Sequence, residues 1–359
     1  MNKIVLPQIT FFILLSSITY AQDIDKLLLK NYRPRSIYNI PVTKVPRAKY
    51  PVIDMHSHAY AQTDEQLAQW VNTMDQAGID KTIILSSSTG ARFDSIYARY
   101  AKYGKRFEVW CGFDYTGYKE TGWSQKAVKE LERCYRAGAR GIGELGDKGL
   151  GEFYSKPTPG YGLHIDDPRM KPLLQKCAAL KMPISIHVAD PYWMYEPIDS
   201  TNDGLMNAYK WKIDKTKEGL LLHADLIKTL ENAVKENPKT TFIACHFANC
   251  EHNLEILGSL FDKYPNLYAD ISARYGETAP IPRYMASFYK KYQDKLVYGT
   301  DMGRDPTMYA TTFRILETLD EHFYEYDRFG YHWPCNGFGL DDAVLKKLYQ
   351  QNALKILSR

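Results

Sequence analysis

Short apolar segments alternate with longer amphipathic segments along most of the chain. Eight segments of mainly apolar or β-branched residues predict β-strands, at 51–58, 81–87, 107–114, 139–145, 182–188, 240–247, 267–273 and 295–301. Several of these segments are apolar at nearly every position, which is typical of a parallel sheet that is covered by helices. The pattern therefore predicts buried parallel strands.

Between the predicted strands, apolar residues recur at the period of an α-helix. We expect helices at 64–77, 123–137, 168–181, 223–236 and 251–263. Thr63 and Asp64 stand at the start of the first helix and Asp167 and Pro168 at the start of the third, and these residue types favour helix N-termini. Eight alternating strand–helix units predict a (β/α)8 TIM barrel, with a doubly wound open sheet as the weaker alternative.

Residues that can bind a metal stand at the ends of five predicted strands. They are His56, His58, Glu144, His187, His246 and Asp301. A (β/α)8 barrel builds its active site at the C-terminal ends of its strands, so these distant residues would meet in one pocket. Imidazole and carboxylate groups suit zinc, and also manganese. The sequence therefore predicts a site for one or two divalent ions.

The spacing of the first two histidines supports a shared ligand role. His56 and His58 are two residues apart on a strand, so their side chains share one face. The alternative is a hydrogen-bonded pair of core histidines. Asp54 lies on the same face, where it would either orient a ligand histidine or accept hydrogen bonds from the barrel.

The remaining strand-end residues have different expected roles. We expect His187 to bind metal and His246 to stabilise a developing negative charge on oxygen. Asp301 would bind metal and accept a proton from water, whereas a helix-cap role is its alternative. Glu144 would either bridge two metal ions or anchor a neighbouring loop.

One long connection and two arginines are candidates for substrate binding. The 189–222 loop directly follows the predicted ligand His187, and its aromatic residues Tyr192 and Trp193 would contact a ring. Arg274 and Arg304 follow the seventh and eighth predicted strands and would bind a carboxylate or phosphate. The alternatives are aromatic packing against a neighbouring subunit and structural arginines.

Several motifs resemble the amidohydrolase superfamily of metal-dependent barrel enzymes. They are DMHSH, ACHFANCEHNLEIL followed by YPNLYADIS, VYGTDMGRDP, and the closing segment KKLYQQNALKIL. The similarity covers most of the chain and points to the amidohydrolase-related branch that contains aminocarboxymuconate semialdehyde decarboxylase. The segment GIGELG, where many dinuclear members have a carboxylated lysine, is also similar to the fourth-strand motif of TatD-type metal-dependent nucleases.

The resemblance implies roles for individual residues. It makes His56, His58, His187 and Asp301 metal ligands, and it makes His246 a catalytic histidine or a ligand of a second metal. The likeness of GIGELG to the nuclease motif implies that Glu144 binds metal, so the number of ions is left open.

Composition and the N-terminal segment limit which partners the protein binds and where in the cell it works. The chain has 359 residues and a net charge of +4, too weak a charge to indicate nucleic-acid binding. Residues 1–21 are expected to be a signal peptide, 22–50 an N-terminal arm, and 51–359 one barrel domain. The mature protein would be exported, periplasmic or secreted, with no membrane insertion. We expect the six cysteines to be buried single thiols, with one disulfide left open.

These observations together predict an exported metal-dependent hydrolase. A metal-activated water would attack an ester, lactone or amide of a small, ring-containing substrate. The alternatives are a metal-dependent decarboxylase of an unsaturated or aromatic acid, a phosphoesterase, and a ligand-binding barrel without activity. A homo-oligomer is compatible with the sequence.

Overall fold

Eight parallel strands follow one another around a barrel in the computed structural model, which describes residues 24–153, 156 and 158–358. The strands are β1 (Val52–Ser57), β2 (Ile79–Leu85), β3 (Phe107–Trp110), β4 (Ile142–Asp147), β5 (Ile184–Val188), β6 (Phe242–Ala244), β7 (Leu267–Asp270) and β8 (Leu296–Val297). Their order in the sheets is their order in the chain. The predicted (β/α)8 fold is confirmed.

Backbone contacts close two sheets into one barrel. Strands β1 to β3 form one sheet and β4 to β8 the other. A parallel bridge between Cys111 and Ile142 joins β3 to β4. On the opposite side, Met55 N donates to Tyr298 O at 2.9 Å and Asp301 N donates to His56 O at 2.9 Å. The second contact brings Asp301 beside the end of β1.

The helices surround the barrel. They are α1 (Asp64–Ala77), α2 (Gly90–Tyr100), α3 (Trp123–Ala137), α4 (Lys171–Ala179), α5 (Leu205–Trp211), α6 (His223–Glu236), α7 (Leu254–Lys263), α8 (Tyr275–Thr278), α9 (Pro282–Lys291), α10 (Pro306–Glu317), α11 (Tyr326–Phe329), α12 (Asp342–Lys346) and α13 (Asn352–Leu357). The predicted helices 64–77, 123–137 and 223–236 match at both ends. At α1, Thr63 accepts from Gln66 N at 3.3 Å, and Gly78 ends the helix with φ 81°.

A small apolar cluster fills the barrel interior below the strand ends. Ile53, Ile83, Ile243 and Val297 belong to it, together with Ile356 of α13. The Asn352 side chain at the start of α13 donates to Leu296 O at 2.8 Å, at the first residue of β8. Helix α13 therefore closes the N-terminal end of the barrel, and the opposite end is left for the site.

The segment before β1 lies against the later part of the chain. After short 3-10 helices at Ile24–Lys26 and Leu29–Asn31, Thr43 donates to Asp320 through its backbone N at 2.7 Å and its hydroxyl at 2.6 Å. The expected signal peptide at 1–21 lies outside the described residues. In the described part of the chain, no helix is long and apolar enough to cross a bilayer.

All six cysteines are buried and free, as predicted. They are Cys111, Cys134, Cys177, Cys245, Cys250 and Cys335.

Candidate metal centre

Four histidines and two carboxylates converge at the C-terminal end of the barrel. This histidine–carboxylate cluster consists of His56, His58, Glu144, His187, His246 and Asp301. Strands β1, β4 and β5 supply His56, Glu144 and His187, and the other three residues follow strand ends. The six residues that the sequence placed in one pocket are brought together.

Several predicted strands were too long, β3, β6, β7 and β8 most clearly, and at β6 and β8 the difference positions a member of the cluster. Strand β6 ends at Ala244 rather than 247, and β8 ends at Val297 rather than 301. His246 lies in a left-handed turn, Cys245–Asn249, with φ 58°, and Asp301 has φ 52°. Both side chains are therefore aimed by turns beyond the strands, where backbone strain is common at functional sites.

Two imidazoles are oriented by acceptors outside the cluster. Nδ1 of His58 lies 2.9 Å from the backbone oxygen of Leu85, and Nδ1 of His56 lies 2.9 Å from Asp270 Oδ2. Because a carbonyl or ionised carboxylate can only accept, each Nδ1 carries the proton. In their neutral forms, His56 and His58 therefore turn an unprotonated Nε2 toward the cluster.

The other two imidazoles are oriented in the same way. Nε2 of His187 donates to Ala189 O at 2.8 Å, so its Nδ1 is the free acceptor. Nδ1 of His246 donates to Ser272 O at 2.9 Å, so its Nε2 is the free acceptor. All four histidines thus turn an unprotonated nitrogen inward in their neutral form, the arrangement in which imidazole binds metal.

These inward nitrogens face two carboxylates. Nδ1 of His187 lies 3.0 Å and Nε2 of His246 lies 3.4 Å from Glu144 Oε1. Nε2 of His58 lies 3.5 Å from Glu144 Oε2 and 3.0 Å from Asp301 Oδ1. Acceptors at these distances repel one another unless a proton or a metal ion lies between them.

The charges of the cluster also favour a bound cation. Burial raises the pKa of Glu144 and Asp301, but the charge of His56 and hydrogen bonds to histidines bring both pKa values below their ordinary range. Burial lowers the pKa of His187, but hydrogen bonds to Asp190 and Glu144 raise it above its ordinary value. At His246 burial is the larger effect, and its pKa is lowered. The cluster keeps its carboxylates ionised and attracts positive charge.

The residues present fit a divalent metal. Nε2 of His56 is buried and has no hydrogen-bond partner, although it lies 3.7 Å from Asp301 Oδ1. Ligand atoms lie within 4.8 Å of one another in each of three overlapping sets: His56, His58 and Glu144; His56, His246 and Asp301; and Glu144, His187 and His246. His187 is thus grouped with Glu144 and His246. Glu144 belongs both to this set and to the set that contains His56 and His58.

Asp270 was missed by the sequence analysis. It is completely buried at the end of β7, and Ser272 Oγ donates to its Oδ1 at 2.5 Å. The same oxygen accepts His246 N at 3.0 Å. Although burial raises the pKa of Asp270, the neighbouring His56 lowers it well below its usual range. Its position at a strand end, like that of the six predicted residues, was a signal that could have found it.

Asp54 takes the second of its two predicted roles. Its carboxylate accepts from His56 N at 3.2 Å, Thr300 N at 3.1 Å and Thr300 Oγ1 at 2.7 Å. Burial raises its pKa to about 7. Asp54 therefore ties β1 to the segment after β8 and does not contact an imidazole ring.

Two cavities adjoin the cluster. The first, here called the aromatic cavity, has a volume of about 680 Å³ and is lined by His187, His246, Asp301, Trp211, Phe329 and Tyr331 among others. The second, here called the basic cavity, has a volume of about 620 Å³ and is lined by His58, Glu144, Tyr60, Arg92, Arg99 and Lys156 among others. The cluster therefore stands between two spaces, each able to take a small molecule.

Arg274 lines the aromatic cavity and is held by polar neighbours. Its Nε and Nη2 donate to Asn249 Oδ1 at 3.1 and 2.5 Å, and Nη1 lies 3.5 Å from Glu277 Oε1. Glu251 Oε2 is 3.9 Å from its Nε. Arg274 is thus already neutralised by acidic residues.

The other three predicted substrate-binding residues lie outside the linings of both cavities. Arg304 donates to Gln66 O at 3.3 Å. The Tyr192 ring stacks on His252 with centroids 4.2 Å apart. The Trp193 ring packs edge-on against Tyr331, with centroids 6.0 Å apart, and so supports a residue that does line the aromatic cavity. Met194 and Trp211 of the same loop line it instead.

Solved structures of other proteins share the fold. One is 5-carboxyvanillate decarboxylase from Novosphingobium aromaticivorans, complexed with manganese and 4-hydroxy-3-methoxy-5-nitrobenzoic acid, at TM-score 0.53 and 12% identity over 89% of this chain and 100% of that one. Another is 2,6-dihydroxybenzoate decarboxylase from Rhizobium, at TM-score 0.52 and 14% identity over 86% and 98%. A third is a probable 2-pyrone-4,6-dicarboxylic acid hydrolase from Acinetobacter baumannii with citric acid bound, at 0.50 and 11% over 86% and 99%.

Sequence comparison identifies the family. A comparison with curated proteins finds no match. The family model for amidohydrolases matches residues 47–359, which is most of the chain and includes every member of the cluster. The chain therefore belongs to the amidohydrolase family of metal-dependent barrel enzymes.

Proposed function

We propose that this protein is an exported metal-dependent hydrolase that cleaves an ester, lactone or amide of a small, ring-containing substrate. The observation that supports it most is the orientation of the four imidazoles, each of which in its neutral form turns an unprotonated nitrogen toward Glu144 or Asp301. A histidine and carboxylate set of this kind suits zinc, and manganese is the alternative.

The ion would supply one part of the chemistry. A divalent metal held by the cluster would lower the pKa of water from near 16 to about 7 and would polarise a carbonyl oxygen. Zinc is the first choice and one or two ions would bind. His56, His58, His187, Asp301 and Glu144 would hold them, with the inward nitrogen of His246 available as a further ligand.

Asp301 is the proposed proton acceptor for the attacking water. Its pKa is lowered, so it is ionised, and its side chain is the more exposed of the two inward carboxylates, at 22% against 10% for Glu144. The Tyr60 hydroxyl donates to its Oδ1 at 3.3 Å. An ionised carboxylate facing the aromatic cavity is placed to take a proton from water beside a bound substrate.

The aromatic cavity supports a ring-containing substrate. Trp211, Phe329 and Tyr331 offer flat apolar faces, and Met194 adds an adaptable one. The structural neighbours are named for enzymes that act on dihydroxybenzoate, carboxyvanillate and pyrone-dicarboxylic acid. We extend that class of small aromatic or cyclic acid to this chain.

Decarboxylation is the second candidate. It is favoured by two structural neighbours that are decarboxylases, one of them with manganese bound. In this reading the cluster would hold the carboxylate and hydroxyl groups of an aromatic acid, and no water would be added. Phosphoester hydrolysis and ligand binding without turnover have less support, because no observation on the site favours them specifically.

Product analysis distinguishes the candidates. Protein lacking residues 1–21 is loaded with zinc or with manganese and incubated with lactones, aryl esters, amides, phosphoesters and hydroxybenzoic acids. Mass spectrometry in ¹⁸O-labelled water would show incorporation of the label for hydrolysis, and released carbon dioxide for decarboxylation. Released carbon dioxide with no label in the organic product would replace the proposed activity by the second candidate. No product from the whole panel, with intact metal loading, would favour a binding protein.

Export is tested separately. The full chain, expressed in a Gram-negative host, should be recovered from the periplasm or medium without residues 1–21. Recovery of the full-length chain from the cytoplasm would contradict export. Sedimentation of the same material would show whether the expected homo-oligomer forms.

A further inference from the structure

The basic cavity differs in charge from the aromatic cavity on the other side of the cluster. The aromatic cavity has five basic and five acidic residues among its described lining residues. Several of them are already paired, as Lys148 is with Asp190 at 2.6 Å and Arg328 with Asp305 at 2.6 Å. The aromatic cavity is therefore close to balanced in charge.

The basic cavity has an excess of positive charge. Arg92, Arg99 and Lys156 line it, and Glu144 is its one acidic residue among those described. Glu144 is engaged with the histidines of the cluster. In the described ranges of the chain, no ion pair is recorded for Arg92, Arg99 or Lys156. An anion that enters this space would therefore meet cations that have no competing carboxylate.

Two of the three cations lie on one helix, and the backbone of the third is bonded beside a strand end. Arg92 and Arg99 lie on α2, seven residues apart and so on one helix face. The Arg99 Nη1 atom donates weakly to Ala61 O at 3.4 Å and to Gln62 Oε1 at 3.3 Å, which leaves its Nε and Nη2 atoms to bind an anion. The backbone N of Lys156 donates to Ser87 O at 2.9 Å, which fixes this residue beside the end of β2. The cavity is thus a built space whose other wall is the cluster itself.

We propose that the basic cavity binds a carboxylate of the substrate, on a part of the molecule remote from the bond that reacts. The substrate would then carry its ring in the aromatic cavity, its reacting group at the cluster, and a second, anionic substituent toward Arg92, Arg99 and Lys156. Guanidinium groups bind carboxylates through paired hydrogen bonds, and the lysine adds a further charge. This inference rests on the proposed placement of a small-molecule substrate at the cluster.

Equilibrium binding of unreactive probes tests the proposal without requiring turnover. Isophthalate has two carboxylates on one ring and benzoate has one. For the metal-loaded protein, calorimetry should show isophthalate binding about tenfold more tightly than benzoate, the size expected of one additional charge-assisted hydrogen bond. The preference should weaken as salt is raised.

Variants locate the second carboxylate. Replacing all three cations, with Arg92→Gln, Arg99→Gln and Lys156→Gln, should abolish the preference and leave benzoate affinity within about twofold. Arg92→Gln alone, at an exposed position that should tolerate substitution, should reduce the preference for isophthalate severalfold. The matched control is Arg136→Gln, an exposed arginine of α3 that lines neither cavity, which should keep the full preference.

Three outcomes would overturn the proposal. They are no preference for isophthalate in the wild-type protein, an unchanged preference in folded Arg92→Gln and triple variants, and tighter binding of 3-phosphonobenzoate than of isophthalate that depends on the same cations, which would assign the cavity to phosphate. Because the readout is binding, the result stands apart from whether hydrolysis or decarboxylation is found.

Discussion

Asp270 accepts the Nδ1 proton of His56 at 2.9 Å, and both side chains are completely buried. This pair fixes which nitrogen of His56 faces the cluster. A carboxylate behind a ligand histidine raises the basicity of that ligand and holds its ring in place. The residue that organises the site most directly is therefore one that contacts no substrate cavity.

We expect Asp270→Asn to weaken metal binding by roughly 10- to 100-fold, the usual effect of losing such a partner. An amide has no charge to stabilise the imidazole and can present its NH2 group to Nδ1. Competition with a chelator, followed by elemental analysis, measures the change. Asp203→Asn, in an exposed loop, is the control. Equal affinities for the two variants would show that Asp270 does not position His56.

Asp301→Asn should lower kcat by a hundredfold or more when metal is saturating, because an amide cannot accept the proton of water. Asp301 is also a proposed ligand, so the measurement needs metal titration for each protein. Unchanged thermal unfolding would show that the fold is intact. Turnover close to that of wild type in a folded, metal-loaded variant would rule out the proposed role.

Glu144→Gln should reduce the number of bound ions. Its two oxygens face different histidines, with His187 3.0 Å from Oε1 and His58 3.5 Å from Oε2, which is the arrangement of a bridging carboxylate. We expect about two equivalents in wild type, as in dinuclear sites, and fewer in the variant. Elemental analysis after dialysis measures the number of bound metal ions per chain in each protein. One bound metal ion per chain in both proteins would show that Glu144 does not bridge two ions and only anchors a loop or transfers a proton.

Two tryptophans of the loop after β5 should behave differently. Trp211 is 66% exposed and lines the aromatic cavity, so Trp211→Ala should raise KM severalfold with little change in stability. Trp193 packs against Tyr331 and Trp333, so Trp193→Ala should lower the free energy of unfolding by about 3 kcal/mol. Kinetics and urea unfolding of both variants test this. A raised KM in Trp193→Ala without loss of stability would restore the direct substrate contact that the sequence suggested.

Asp320→Asn should detach the arm and destabilise the fold by about 1–3 kcal/mol at neutral pH. Burial raises the pKa of Asp320, but hydrogen bonds from Thr43 and Arg314 lower it below its ordinary value. A lowered pKa stabilises the folded state above the unfolded-state pKa of about 3.9, and this contribution disappears as pH falls through the folded-state pKa.

The difference in unfolding free energy between wild type and Asp320→Asn should therefore be constant from pH 7 to about 5 and shrink below pH 4. Asp294→Asn, which removes an exposed ion pair with Lys347, is the control and should cost less than about 1 kcal/mol. A difference that persists unchanged at pH 3 would contradict the assignment.

The order of elements could be predicted because burial on both faces leaves a strong apolar pattern. Helices 64–77, 123–137 and 223–236 were predicted to the residue, since each combines a clear helical period with a start or stop signal. The strand ends were less predictable. CHFANC is apolar enough to read as strand, and nothing in that pattern reveals left-handed φ angles at His246 and its neighbours.

The ligands were found because they are titratable residues at strand ends, a position that the barrel itself makes meaningful. The substrate contacts were predicted less accurately than the ligands. Tyr192 and Trp193 are close in sequence to His187, but the loop turns them toward His252 and Tyr331. Arg92 and Arg99 carry no motif, and only the packing of α2 beside the cluster distinguishes them from surface arginines.

The left-handed turn Cys245–Asn249 has a consequence for how this protein can change. His246, Phe247, Ala248 and Asn249 all have φ between 53° and 58°, and each such non-glycine residue costs roughly 1–2 kcal/mol relative to a right-handed one. Tertiary contacts must supply that energy, for example the Asn249 side chain donating to Val188 O at 2.9 Å. Directed evolution of this enzyme should therefore find that substitutions in the turn are the first to unfold the protein. Other substitutions that stabilise the barrel should let the protein tolerate changes at the turn and so reach a wider range of new activities.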